Sequence, residues 1–481
     1  MVAAIGGREV MKLRGRSTRV VQLRGRAVLP GFNDAHAHVV YYGLSSFGVD
    51  LGGAASIAEL QDRLRRGAEK LPAGEWLQGM GYRPSELAER RAPTRFELDV
   101  AVGHRPAFID ERGGHSRVAS SAALAAAKVT AATQAPQGGT IGRDGSGEPD
   151  GRLLEAAMRI VADVQPPPSL DRRKQGILRA QRLLLSRGIT SVGAAVNRGF
   201  ADDLRAYREL GRAGKLRMRV NEFLSWELLE AATRLGIDSG FGDRLVRAGP
   251  IKVFVDGGAS AGAAAIRGGA GTWRTPPDEL RRIFAKADAG GLQVACHAVG
   301  DAAIEAVLDA VESLPMPKRL RHRIEHCTAC PSDLVARAAN LGVVAVMQPL
   351  FAAFKARAGD AFPTHLLPHL GAHRVLARAG VPLAFSSDLP VTPDPNPWTG
   401  LAAVTTDSDQ RLTRVSALRA YTSGGAYASH EERVKGTLEP GQLADLQLYE
   451  RDPLAMDASE WPALRPSAVL LGGRTVFGRL L

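Results

Sequence analysis

From Ser169 onward the chain alternates between two hydrophobic patterns. Stretches with apolar residues at helical spacing stop at a glycine and lead straight into β-branched apolar runs. Ser169 to Arg187 precedes Gly188-Ile-Thr-Ser-Val192, and Pro277 to Ala289 precedes Gly291-Leu-Gln-Val-Ala-Cys-His297. Ser332 to Asn340 precedes Gly342-Val-Val-Ala-Val-Met347, and Val375 to Ala379 precedes Gly380-Val-Pro-Leu-Ala-Phe-Ser386. Glycine is the natural helix stop, and a strand apolar along its whole length is one covered on both faces. Adding the run that ends at His36 and His38, Leu216 to Val220, Ile251 to Val255 and His322 to His326 makes eight candidate strands. Eight parallel strands alternating with helices close into an α/β barrel whose chemistry sits at the strand C-terminal ends.

The two ends of the chain read differently. Val2-Ala-Ala-Ile5 and Thr18-Arg-Val-Val-Gln-Leu23 look like short strands. A β-rich pattern returns at Asp445 to Tyr449 and at Ala468 to Phe477, where Gly-Gly marks a hairpin. The expected organisation is a small β-sandwich built from residues 1–30 and 432–481, with a barrel over 31–431 inserted between them. Residues 59–159 are irregular and glycine-rich. A structureless loop of that length is implausible in a compact domain, so the segment is expected to be an α+β insertion after the first barrel strand.

Composition changes this picture little. The formal charge is +12, yet basic groups such as Arg63-Leu-Arg-Arg66 are short and interleaved with acids, which fits a solvated surface rather than a nucleic-acid site. There is no apolar run of membrane-spanning length and no secretory leader pattern at the start, so a cytoplasmic location is expected, with neither nucleic acid nor membrane as a partner. The 3 cysteines, Cys296, Cys327 and Cys330, argue against a disulfide framework and read as buried thiols.

The candidate chemistry lies in what terminates the strands. The first ends in His36-Ala-His38, whose side chains share one face of a strand. The fourth carries Lys252 and Asp256 on the same face as Phe254, the fifth ends at His297, the sixth at Glu325-His326 and the eighth at Asp388. A histidine at a strand end can be an ordinary rim residue, and an aspartate there can cap the next helix. Five apolar strands all ending in His, Lys or Asp instead point to a divalent cation, which needs N and O donors converging from rigid elements.

Several motifs together resemble the amidohydrolase superfamily, in particular its amidohydrolase-3 (YtcJ-like) branch, over nearly the whole chain. They are Leu29-Pro-Gly-Phe-Asn-Asp-Ala-His-Ala-His38, Gly249-Pro-Ile-Lys-Val-Phe-Val-Asp-Gly257, His297-Ala-Val-Gly-Asp301 and His322-Arg-Ile-Glu-His326. Gln348-Pro349, Ser387-Asp-Leu-Pro-Val391 and Gly436-Thr-Leu-Glu-Pro-Gly-Gln-Leu-Ala-Asp-Leu446 add to them, and Gly114-His115-Ser and Gly139 to Glu155 resemble the branch's insertion. The resemblance implies a (β/α)8 barrel with a terminal β-sandwich, and metal ligation by His36, His38, His297, His326 and Asp388. Lys252 would bridge two metals as a CO2-derived carbamate; zinc is the default, with manganese or iron also compatible. Asp388 would shuttle a proton from the attacking water to the leaving nitrogen, with His322 a further catalytic residue. His115, Trp76 and Gln348 are expected at the substrate pocket.

The implied activity is hydrolysis of a C–N bond in a small amide-like molecule. A single-metal deaminase-like hydrolase and a catalytically silent barrel used for assembly are the alternatives. Relatives in this branch carry a further strand pair before Val2. Either the start is misplaced, or the small domain is short of strands and exposes an edge, which would favour association or poor solubility; a homodimer is an open expectation.

Overall fold

A computed structural model of the chain describes residues 1–72, 74–196, 201–269, 271–351, 361–406 and 409–480. All eight expected strands are present: β1 (Phe32–Ala37), β2 (Ile189–Ala194), β3 (Arg219–Ser225), β4 (Val246–Phe254), β5 (Val294–Ala298), β6 (Arg323–His326), β7 (Val344–Met347) and β8 (Leu383–Phe385). They form one parallel sheet in sequence order. Gly188, Gly291, Gly342 and Gly380 all adopt positive φ where a helix gives way to β2, β5, β7 and β8, a conformation that costs a side-chain-bearing residue energy.

The sheet closes between β8 and β1 through side chains as well as backbone. Asp34 accepts hydrogen bonds from the Ser387 amide at 3.0 Å and the Ser387 hydroxyl at 2.6 Å. The Asp388 amide donates to the His36 carbonyl at 2.9 Å, and the His38 amide to the Leu389 carbonyl at 2.8 Å. The motif that carries the two histidines is therefore also the seam of the barrel.

Both chain ends combine into a small antiparallel sheet, ordered Ala27–Pro30, Leu446–Tyr449, Ala468–Leu471 and Arg474–Gly478. Trp398, whose ring packs edge-on at 5.3–5.5 Å against Phe32, Tyr449 and Trp461, joins this sheet to the barrel. Arg219 at the start of β3 adds a two-pronged pair to Asp445 at 2.5 and 2.8 Å. The two strands expected at Val2–Ile5 and Thr18–Leu23 are not formed; a 3-10 turn at Arg8–Leu13 occupies this segment. Its apolar side chains, among them Ile5 and Leu13, are exposed, so the alternation there has no face to bury. Val2 exchanges backbone bonds with Gln442 (2.7 Å) and Gly441 (2.9 Å), and Leu23 packs against the Leu448, Ala468 and Leu470 cluster.

Between β1 and β2 the chain builds a six-stranded mixed sheet, ordered Val49–Asp50, Leu77–Tyr82, Ala107–Glu111, Ser116–Ala119, Pro149–Glu155 and Gly139–Arg143. It has its own apolar clusters around Leu60, Leu98 and Ile109 and around Leu124 and Leu153. Among the described residues no helix is long and apolar enough to cross a membrane. Asp34→Ala removes the carboxylate that seals β8 to β1 and strands the buried Ser387 amide. The variant is expected to lose about 1–3 kcal/mol of stability, read as a lower melting temperature against Ser387→Ala.

Candidate metal centre

At the exit ends of five barrel strands the sequence delivers polar groups into a space walled by apolar ones. His36 on β1, His297 on β5 and His326 on β6 stand ring to ring, with centroids 5.3 Å apart for His36 and His326 and 4.6 Å for His297 and His326. His38, one residue past β1, lies 5.2 Å from His36. Asp388, beyond β8, places Oδ1 3.5 Å from His36 Nε2 and 3.3 Å from His38 Nε2, and Oδ2 3.9 Å from His326 Nδ1. One donor atom from each of His36, His38 and Asp388 falls within 4.8 Å of the others. His326 and Asp388 hold φ of 72° and 55°, a left-handed backbone that non-glycine residues adopt at a cost.

The donor chemistry suits a cation. His36 Nε2, His297 Nε2, Lys252 Nζ and Asp388 Oδ1 are buried polar atoms without a hydrogen-bond partner. The far side of the ligand rings, in contrast, is satisfied. His36 Nδ1 lies 2.5 Å from Glu325 Oε2, His38 Nδ1 3.1 Å from the Ala195 carbonyl, and His326 Nδ1 2.9 Å from Gln348 Oε1. All three partners are acceptors, so each Nδ1 carries the proton and each Nε2 keeps its lone pair. Glu325 is fixed in turn by Arg323, which donates to both its oxygens at 2.7 and 3.0 Å and to the Ala35 carbonyl at 2.9 Å. Gln348 is fixed by donating to Ser386 Oγ at 2.9 Å.

Burial, reinforced by neighbouring cations, holds the His36 and His297 imidazoles well below their usual pKa, which keeps them neutral. Burial also brings the Lys252 ammonium down to about 8. For Asp388 burial pushes upward, but the adjoining His38, His326 and His36 rings outweigh it and hold the carboxyl below its usual range. Asp256 places Oδ1 3.6 Å from His297 Nε2 and accepts backbone N–H groups of Ala265, Val299 and Gly300 at 2.9–3.1 Å. Its burial raises it to about 7.

A cavity of about 1450 Å³ opens over this cluster, with Lys252, His297 and Asp388 on the barrel side and Trp76, Phe108 and His115 on the insertion side. His115 Nδ1 is held by Glu155 at 2.9 and 3.0 Å, and its ring lies 5.2 Å from that of His297. Trp76 packs against Phe108 at the far wall. Gln348 is placed differently from its expected position in the pocket: it stands against His326 Nδ1 and orients that ring.

His322 is misplaced by the sequence reading. Its Nδ1 accepts the Val294 amide at 3.0 Å and its ring packs 4.9 Å from Phe284, at the entry ends of β5 and β6. His326 lies four residues further on, about 13 Å along the strand, so His322 faces the wrong end for catalysis. Glu325 and Arg274 were not picked out, although Arg323-x-Glu325 alternates onto one strand face as His36-x-His38 does.

Glu325→Gln weakens the acceptor that fixes His36 and is expected to lower metal affinity about 10–100-fold in competition against a chelator. His322→Gln is expected to lower the melting temperature and leave metal affinity unchanged.

The comparisons with known proteins agree with this geometry. The chain is 27% identical to "Putative amidohydrolase YtcJ" of Bacillus subtilis (strain 168), over 96% of this chain and 90% of that one. It is 29% identical to an N-substituted formamide deformylase of Arthrobacter pascens, over 93% and 87%. Among solved structures, an uncharacterized metal-dependent hydrolase from Pyrococcus furiosus superposes with a TM-score of 0.73 at 30% identity, covering 93% of this chain and 91% of that one. The profile of the amidohydrolase family matches residues 19–477, and with metal-ready donors at the mouth of a barrel, the chain belongs to that family of metal-dependent hydrolases.

Proposed function

We propose that the protein hydrolyses a C–N bond in a small non-peptide amide of N-acyl or N-formyl type. The carrying observation is the set of four unpartnered buried atoms, His36 Nε2, His297 Nε2, Lys252 Nζ and Asp388 Oδ1, the last three on residues that line one cavity. Such atoms cost free energy unless a ligand completes them. His36, His38, His297, His326 and Asp388 would hold divalent metal, with zinc the first choice for imidazole and carboxylate donors. Lys252, as the carbamate formed with CO2, would supply the anionic oxygens able to span two cations, and its buried amine beside Phe254 has no hydrogen-bond partner in the protein. Bound metal supplies Lewis acidity, polarising a carbonyl and making water acidic near neutral pH.

The chain's own residues do the rest. Asp388 is held ionised and takes the proton of the attacking water, then returns it to the leaving nitrogen. His115, locked by Glu155, stands beside His297 on the insertion wall and orients the substrate there. Trp76 and Phe108 give the cavity an apolar wall for the remainder of the molecule. The deformylase relative supports a formamide-like substrate.

Elemental analysis of protein purified without chelators tests this directly. Close to two metals per chain are expected, falling to one or none in Lys252→Ala. Asp388→Asn is expected to lower kcat by about 10²–10⁴-fold with metal still bound. One metal per chain in the wild type, unchanged on loss of Lys252, favours the single-metal deaminase-like chemistry. No metal after reconstitution with zinc or manganese and bicarbonate overturns the catalytic assignment.

A further inference from the structure

The cavity wall contains a guanidinium whose hydrogen-bonding capacity the protein does not use. Arg274 is strapped to the exit end of β4: its amide donates to the Val255 carbonyl at 2.9 Å, and Thr275 Oγ donates to the Phe254 carbonyl at 2.8 Å. Its Cζ lies 4.3 Å from the centroid of the Phe254 ring, the ring that also carries Lys252 Nζ at 4.7 Å. The guanidinium is thus fixed within one small-molecule length of the metal ligands. Its side chain keeps 21% of its exposure, and the residue lines the cavity.

Of the five guanidinium N–H donors, one has a side-chain acceptor among the described residues, Glu155 Oε2 at 3.4 Å. Glu155 is already committed elsewhere. Both its oxygens hold His115 Nδ1, and Oε1 also accepts the Gly258 amide at 2.9 Å. The nearby Asp256 is occupied by three backbone amides. The neighbouring Arg159 turns to Glu227 at 3.3 Å. Burial, joined by the field of Arg159, holds Arg274 below its usual pKa despite Glu155, as befits an incompletely compensated cation.

We infer that Arg274 is a specificity-determining residue: the substrate carries a carboxylate or similar planar oxyanion that pairs with its guanidinium while the scissile bond lies at the metal ligands. A rigid planar fork backed by an aromatic ring binds such a group through two parallel N–H···O bonds, which a neutral substituent cannot replace. The inference rests on the C–N hydrolase reading for the identity of the reacting bond.

The test uses two compounds that differ only in the anion, N-formylphenylalanine and N-formylphenethylamine, on metal-loaded wild type, Arg274→Lys and Arg274→Met. The phenyl group suits a cavity walled by Phe254, Phe108 and Trp76. Wild type is expected to favour the carboxylate compound by about 100-fold in kcat/KM, mainly through KM, with that preference abolished in Arg274→Met and partly kept in Arg274→Lys. The neutral compound is expected to react alike in all three. Equal losses on both compounds assign Arg274 a structural role and overturn the inference. Calorimetric titration of the same pair is independent of turnover. If wild type cleaves neither, the C–N reading fails, while carboxylate-selective binding lost in Arg274→Met sustains the anion site. Binding without selectivity, or no binding of either, overturns it.

Discussion

Four partnerless polar atoms buried side by side are the constraint on which the rest of this molecule depends. Each of His36 Nε2, His297 Nε2, Lys252 Nζ and Asp388 Oδ1 gives up water on folding and makes no hydrogen bond within the protein. The barrel can hold them there because everything behind them is over-satisfied. Arg323 clamps Glu325, Glu325 clamps His36, Ser386 holds Gln348, and Gln348 holds His326. Hydrogen bonds that fix the outer nitrogen of each ring leave the inner nitrogen with nowhere else to turn.

Much of this was legible because the barrel obeys short-range rules. The glycine stops located β2, β5, β7 and β8, and the i, i+2 spacing of His36 and His38 set both on one side of the chain. His322 shows where such rules end. It shares a motif with His326, yet a strand runs between them, so they serve opposite ends of the barrel. The segment before Ala27 has a strand-like alternation, but forming a strand also requires a neighbour and a face to cover, and neither is encoded locally.

The residues that escaped the sequence are those whose meaning comes from distant partners. Arg274 is one arginine among many until the fold sets it on Phe254 and gives its nearest carboxylate to His115. Asp34 sits in the same run as the histidines, but only the closed sheet joins it to Ser387, far along the chain. Gln348 follows an apolar strand and reads as a pocket residue; the structure turns its amide onto a ligand ring instead.

The terminal sheet has a consequence for how the molecule forms. Val28 pairs with Leu448, so one strand waits for a partner made much later along the chain. Until then the Ala27–Pro30 edge and the apolar side of Phe32, which needs Trp398, stay open. Loop closure over most of the chain is slow, and an uncovered strand edge is a template for association between nascent molecules. The small domain is therefore the last to be completed, and the interval before it closes is the stage at which this chain is most exposed to misassembly.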